Sequence, residues 1–360
     1  MPESHQGNAV VYCQGALGTT TGKTAHGLIR RSGRYHIVAV IDSSNAGQDA
    51  GTVLDGRANG IPVVPDLAAA ITIGEAKQHR LTHFVIGLAP DGGRLDHDGR
   101  EAVKAAIQQQ LHIVAGLHDF LSDDGELQSM AQANDVTLHD VRKPPPRDQL
   151  HFYSGKIHEV KSLKIAVLGT DSAVGKRTTA WLLTDGLSAA GLVTEMVGTG
   201  QTAWLQGARF GITLDSLVND FVAGELEHAV WSAWQSTHCD AIVIEGQGSL
   251  MHPAYPGGFE ILAACRPDAV IMQHAPARRE YDGFPGVPIA PLDKQIQAVE
   301  LISDRPVVGI TINHEGLQRA EIDSACATIQ SSTGRPTCDP LVHGPGPIVD
   351  AILQLRRAQR

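Results

Sequence analysis

The stretch LKIAVLGTDSAVGKRTTAWLLTDGL, Leu163 to Leu187, constrains the fold of this chain more than any other. Its first seven residues form a near-continuous apolar run, as expected of a strand covered on both faces. A glycine-bounded turn follows, and beyond it Ala180, Leu183 and Leu187 share one face at the i, i+3, i+7 spacing of a helix. A buried strand that feeds a glycine turn and then a helix opens a βαβ unit, and such units build parallel sheets with helices on both sides.

The same alternation runs along the whole chain. In the first part AVVYCQG (9 to 15), YHIVAVIDSS (35 to 44), HFVIGLAP (83 to 90) and LHIVAGLH (111 to 118) are strand candidates, separated by helical patterns such as GKTAHGLIRR and REAVKAAIQQQ. Pro144, Pro145 and Pro146 break the pattern, because three prolines continue neither a helix nor a central strand. It then restarts with LKIAVLG and continues through LVTEMV, DAIVIEG (240 to 246), DAVIMQH (268 to 274) and PVVGITIN (306 to 313) to a closing helix near PIVDAILQLRRA. The expectation is an α/β protein with two doubly wound parallel-sheet domains: Rossmann-like over 1–140, a proline-rich linker over 141–160, and a P-loop NTPase-like domain over 161–360. Loops after such strands lie at the carboxyl edge of a sheet, where open α/β folds place ligands.

Composition narrows the partners. A formal charge of −10 disfavours nucleic acid and anionic membrane, whose surfaces are themselves negative, so an anionic small ligand must meet a local basic patch. Five scattered cysteines with no C-x-x-C pair are expected to be reduced core thiols of a cytoplasmic protein. The start MPESHQGN lacks the basic and apolar regions of a signal peptide, and no apolar run approaches the roughly 20 residues of a membrane span. A homo-oligomer is the expectation for an enzyme of this size.

The turn Gly169, Thr170, Asp171, Ser172, Ala173, Val174, Gly175 has the pattern of a phosphate-binding loop, with Lys176 at the head of the helix. Backbone N–H groups converge on an anion there, and the helix N-terminus adds partial positive charge. A nucleotide hydrolase has a magnesium-binding Ser or Thr directly after the lysine; this chain has Arg177. A guanidinium is permanently protonated and cannot ligate Mg²⁺, yet it pairs well with phosphate. Thr178 or Thr179 would recover a metal ligand only by a register shift.

Three further loops carry candidates. EGQGSLMHPAYPGG places Glu245 at a strand end as general base, His252 and Tyr255 as proton-transfer groups, and Gly246 and Gly248 where backbone N–H groups meet an oxyanion. MVGTGQTAWLQGARFG holds Thr199 and Gln201 and is expected to face the same crevice. QHAPARREYDGFP brings His274, Arg278 and Arg279, a candidate carboxylate or phosphate clamp together with the linker pair Arg142 and Arg147. Near the N-terminus Gly15, Gly18 and Gly22, with Lys23, Thr24 and, at the end of the next strand, Asp42, form a loose dinucleotide fingerprint that is equally a structural turn. No cluster has zinc spacing and no metal site is expected.

Taken in order, YCQGALGTTTGKTAHGLIR, DVRKPPPR, LHFYSGKI, GTDSAVGKRTTA, GTGQTAWLQGARFG, EGQGSLMHPAYPGG and TINHEGL resemble one bacterial and archaeal family that joins a Rossmann-like domain to a P-loop domain. Some of its members are D-glutamate N-acetyltransferases. The resemblance implies acetyl-CoA as co-substrate, with its phosphates on residues 169 to 178, and an acidic amino acid as acceptor. Asn313 falls where related P-loop proteins recognise an adenine. The five-residue spacing between Gly169 and Gly175 also resembles the loop of dethiobiotin synthetases, which leaves an ATP- and Mg²⁺-dependent ligase as an alternative that Arg177 disfavours. A non-catalytic nucleotide sensor, using NAD in the first domain, is the third reading.

Overall fold

The computed structural model describes residues 5–358, which form two compact units: 5–145 with Gln201–Ala208, and Pro146–Gly200 with 209–358. The first unit contains β1 (Gly7–Tyr12), α1 (Lys23–Arg30), β2 (Tyr35–Ile41), α2 (Ala50–Asp55), β3 (Val63–Val64), α3 (Leu67–Ala76), β4 (His83–Ile86), α4 (His97–Gln108), β5 (His112–Ala115), α5 (Gly125–Ala133) and β6 (Leu138–Asp140). Its strands pair in parallel in the order β3-β2-β1-β4-β5-β6, so the order reverses between β1 and β4. Successive residues point to opposite faces of a strand. Val10, Phe84 and Ile113 accordingly enter the core on one face, and Val11, Val85 and Val114 the core on the other. That two-sided burial is why these strands read as continuous apolar runs.

The second unit begins with β7 (Leu163–Gly169), α6 (Lys176–Ala189) and β8 (Thr194–Gly198). The chain then forms α7 (Gln201–Leu205) and returns as β9 (Phe210–Gly211). It continues with α8 (Asn219–Thr237), β10 (Ala241–Glu245), α9 (Gly258–Cys265), β11 (Ala269–His274), α10 (Leu292–Ser303), β12 (Val307–Ile312), α11 (Ile322–Thr333), β13 (Thr337–Cys338) and α12 (Gly346–Ala358). This sheet is also all parallel, in the order β13-β12-β11-β7-β10-β8-β9. The protein is thus α/β with two doubly wound parallel sheets. The chain leaves β7 toward β8 and later returns to its other side as β11, which opens a crevice at the carboxyl end of β7.

Two segments depart from a simple reading of the chain. Residues 201–208 belong to the first unit, where Gln206 Nε2 donates to the Gly27 carbonyl at 2.7 Å and Arg34 Nε to the Trp204 carbonyl at 2.7 Å. After the prolines, Ser154 and Ile157 are tied into the second unit by their backbone N–H groups, which donate to the Glu227 carboxylate at 2.6 and 3.1 Å. All five cysteines are buried free thiols. No helix among the described residues is long and apolar enough to cross a membrane.

Candidate functional site

The loop between β7 and α6 is shaped by glycine. Gly175 caps α6 with φ +102°, a conformation that L side chains rarely adopt, and it presents the first turn of a 14-residue helix. The leading N–H groups of a helix have no intrahelical acceptor, so this terminus favours an anion. Lys176 lies across the loop and donates from Nζ to the Asp171 carbonyl at 2.6 Å. Its stem runs in a trench between two glycines: a Cβ on Gly169 would come within 2.9 Å of Lys176 Cδ, and one on Gly246 within 3.1 Å of the same atom. Burial lowers the ammonium pKa to about 8, against the favourable charges of Asp171 and Glu245. A buried ammonium with incomplete compensation gains most when a phosphate arrives.

Glu245, 5% exposed, ends β10 beside this lysine. Its Oε2 accepts from the Thr199 N–H at 2.9 Å, while Thr199 Oγ1 donates to the Glu245 carbonyl at 3.1 Å. Burial raises its pKa, and Arg177, the Thr199 and Gly200 N–H groups and Lys176 oppose the rise. A carboxyl moved up toward neutrality is suited to general-base work. Gly246 is required here by contact, since a Cβ would sit 2.2 Å from the Val167 carbonyl oxygen. Gly248 has φ +52° and leaves room for the Tyr255 carbonyl, which accepts from the Ser249 N–H at 3.1 Å and closes the loop.

Asp171, fully buried, joins three loops. Its Oδ2 accepts from Arg278 Nη1 at 2.8 Å and from the Asp282 N–H at 3.0 Å, and its Oδ1 accepts from the Ser172 N–H at 2.7 Å. His252 Nε2 lies 3.3 Å from Oδ1, close enough for charge attraction but without hydrogen-bond alignment. His252 Nδ1 accepts from the N–H groups of Ala254 and Tyr255 at 3.1 and 3.0 Å. The neutral ring therefore carries its proton on Nε2, toward Asp171, and its lone pair is occupied. Burial lowers the pKa of this ring, which packs edge-on against Tyr281 and Phe284. Both ring nitrogens of His252 thus face protein groups of the site loops.

The expected clamp is also rearranged. Arg278 gives Nη1 to Asp171 and to the Ser172 carbonyl and Nη2 to Glu315 at 2.6 Å, so its guanidinium ties the loop together. Arg142 is buried in the first unit with Nε on the Gly116 carbonyl at 2.8 Å. Gln201 is likewise buried there, against Gly116. Arg279, Arg147 and Tyr255 are exposed in the second unit. His274, half-buried at the end of β11, shares a hydrogen bond with Thr170 Oγ1 at 2.9 Å, and desolvation lowers its pKa to about 4. Thr179, one of the two hydroxyls that would have recovered a metal ligand, instead donates to Gln273 Oε1 at 2.5 Å.

Sequence reasoning missed Gln273, Thr311 and Asp282. The only signal for Gln273 is a polar residue that, just before His274, interrupts the apolar run of its strand. His314 bonds through Nδ1 to the buried Asp339 at 2.5 Å, which fixes its ring beside Asn313. In the first unit the glycine turn after β1 is closed by Asp42. Its carboxylate accepts from the N–H groups of Gly15, Leu17 and Ser44 and from Asn45 Nδ2, at 2.9 to 3.2 Å. The position where a dinucleotide fingerprint needs a ribose ligand is thus occupied by the loop itself.

Fold and site together define a two-unit α/β protein, Rossmann-like first and phosphate-loop second. The chain belongs to the DUF1611 family: the model of its P-loop domain of unknown function matches residues 151–349, and that of its Rossmann-like domain matches residues 43–144. Among similar proteins, one from Tritonibacter scottomollicae is 32% identical over 78% of this chain and 84% of its own length. One from a Pseudoalteromonas species is 33% identical over 77% and 83%. Both carry the name D-glutamate N-acetyltransferase. The crystal structure of a DUF1611 family protein from Anabaena variabilis superposes with a TM-score of 0.88 at 30% identity, covering 97% of this chain and all of that one.

Proposed function

We propose that this protein is an acetyltransferase that moves the acetyl group of acetyl-CoA to the amine of D-glutamate. The observation that carries the reading is a phosphate loop with Arg177 in the metal-ligand position, set beside a buried carboxyl, Glu245, whose pKa is raised. Coenzyme A offers a diphosphate that needs anchoring and no hydrolysis. The names of the relatives supply the acceptor.

In this mechanism the loop 169 to 178, Lys176 and Arg177 hold the CoA phosphates, with Asn313 beside the first turn of α6. The acceptor ammonium must lose a proton before it attacks, and Glu245 takes it. The free amine forms a C–N bond to the thioester carbonyl. N–H groups of Gly246 to Gly248 stabilise the oxyanion. Collapse breaks the C–S bond, the nitrogen gives up its second proton, and the leaving thiolate takes one up, so one proton is released per turnover. His252 and Arg278 keep the loops in register through Asp171. Arg279 and Arg147 are the guanidinium groups open to the two acceptor carboxylates, and Tyr255 stands at the rim. Both Asp171 oxygens and the Thr179 hydroxyl are already engaged, which weighs against a Mg²⁺-dependent ligase built on them.

The test is thiol release from acetyl-CoA by the purified protein with D-glutamate, L-glutamate or no acceptor, each with EDTA or with ATP and Mg²⁺. Release that requires D-glutamate and ignores ATP is the expected result. Turnover that requires ATP and Mg²⁺ would replace the reading with the ligase.

A further inference from the structure

We infer that Gln273 is a ligand-binding residue of the phosphate loop, a fixed amide donor that flanks, with Asn313, the first turn of the helix behind that loop. The ligand class this defines is a diphosphate ester bound without metal. The inference rests on reading the loop as an anion cradle, as proposed above.

Gln273 is 2% exposed and sits in β11 between Gly169 of β7 and Thr311 of β12. Its Oε1 accepts two hydroxyl protons, from Thr179 and from Thr311, each at 2.5 Å. Both contacts are too short for an amide N–H on a hydroxyl oxygen and fit O–H···O geometry, so it is the amide oxygen that faces the two threonines. The nitrogen is thereby directed at the helix N-terminus: Nε2 lies 3.7 Å from where a Cβ on Gly175 would stand. Asn313 converges on the same point. Its Oδ1 accepts from the Glu315 N–H at 3.0 Å, and its Nδ2 lies 3.9 Å from the same Gly175 position.

Two NH₂ groups, each oriented by an occupied oxygen, therefore flank the first turn of α6. Neither is charged, and neither needs a cation to be held in place. A hydroxyl that could have ligated Mg²⁺ is the group that orients one of them. Uncharged donors and Lys176 would favour a bare diphosphate, whereas a Mg²⁺–diphosphate complex carries less negative charge and demands oxygen ligands.

The experiment is calorimetric titration of the full-length protein and of Gln273→Glu with inorganic pyrophosphate and with CoA, in EDTA and in Mg²⁺. The variant keeps the oxygen that the two threonines address and replaces the donor by an anion. Wild type should bind pyrophosphate at least as tightly in EDTA as in Mg²⁺, which complexes the bare diphosphate, and Gln273→Glu should lose about 10- to 100-fold in EDTA, with part of the loss recovered in Mg²⁺. A wild-type affinity that requires Mg²⁺, or a variant that binds pyrophosphate like wild type in EDTA, would overturn the inference. Thermal unfolding checks that the variant is folded. Should it not be, Thr311→Val, which loosens the amide without adding charge, is expected to weaken pyrophosphate binding about 3- to 10-fold, and unchanged binding would again overturn the proposal. Pyrophosphate binding as described without CoA binding would uphold the amide donor and remove the acetyl-CoA reading.

Discussion

The two units use the same device, a strand that turns through glycines into a helix at the switch point of a parallel sheet, and finish it in opposite ways. In the first, Asp42 reaches back from the end of β2 and accepts the N–H groups of Gly15 and Leu17. In the second, the carboxylate of Asp171 takes one N–H of its own loop, that of Ser172, and otherwise accepts from Arg278 and the Asp282 N–H. One turn is thus neutralised from within. The other keeps its helix N-terminus, Lys176 and the amides of Gln273 and Asn313 for a ligand. Glycine spacing alone does not make an anion site; what matters is whether a nearby carboxylate already occupies the donors.

That contrast can be broken by substitution. The largest effect belongs to Glu245→Gln, expected to lower turnover about 10²- to 10⁴-fold while CoA affinity, measured by calorimetry, stays near wild type. Lys176→Met should weaken CoA binding about 10- to 100-fold, as expected for a lost hydrogen bond to a charged group. Asp42→Ala should leave CoA binding unchanged and destabilise the first unit by about 1 to 3 kcal/mol, because several loop N–H groups lose a buried acceptor; denaturant titration reads it.

The smallest effect is on pH. With a folded pKa of about 8, below the ordinary lysine value of 10.5, Lys176 holds its proton less tightly than it would in the unfolded chain. Its burial therefore opposes folding at neutral pH, and that penalty is relieved as pH rises through the window between those values. Anion binding runs the other way, because it needs the ammonium. CoA affinity of wild type should fall by several-fold as pH rises past about 8, and the slope should vanish in Lys176→Met.

Much of the architecture was legible because burial on both faces leaves long apolar runs, as in β7 and β10, whose residues are all buried. The edge strands β3, β9 and β13 are two residues each, too short for any periodicity to register. At the site, the loop and Glu245 stood out because glycine spacing and a carboxylate at a strand end are local signals. The roles of Arg278 and His252 were not legible, since each depends on Asp171, which lies 107 positions from Arg278. A guanidinium looks the same in sequence whether it holds a substrate or its own loop. Gln273 was hidden for the same reason: its donor direction is set by threonines on α6 and β12.

The most direct measurement is backbone amide hydrogen exchange of the full-length protein with and without saturating CoA in EDTA. Protection concentrated in residues 169–178, with residues 13–24 unchanged, is the result expected if the second turn alone is the open cradle. Protection of residues 13–24, or none at 169–178, would contradict it.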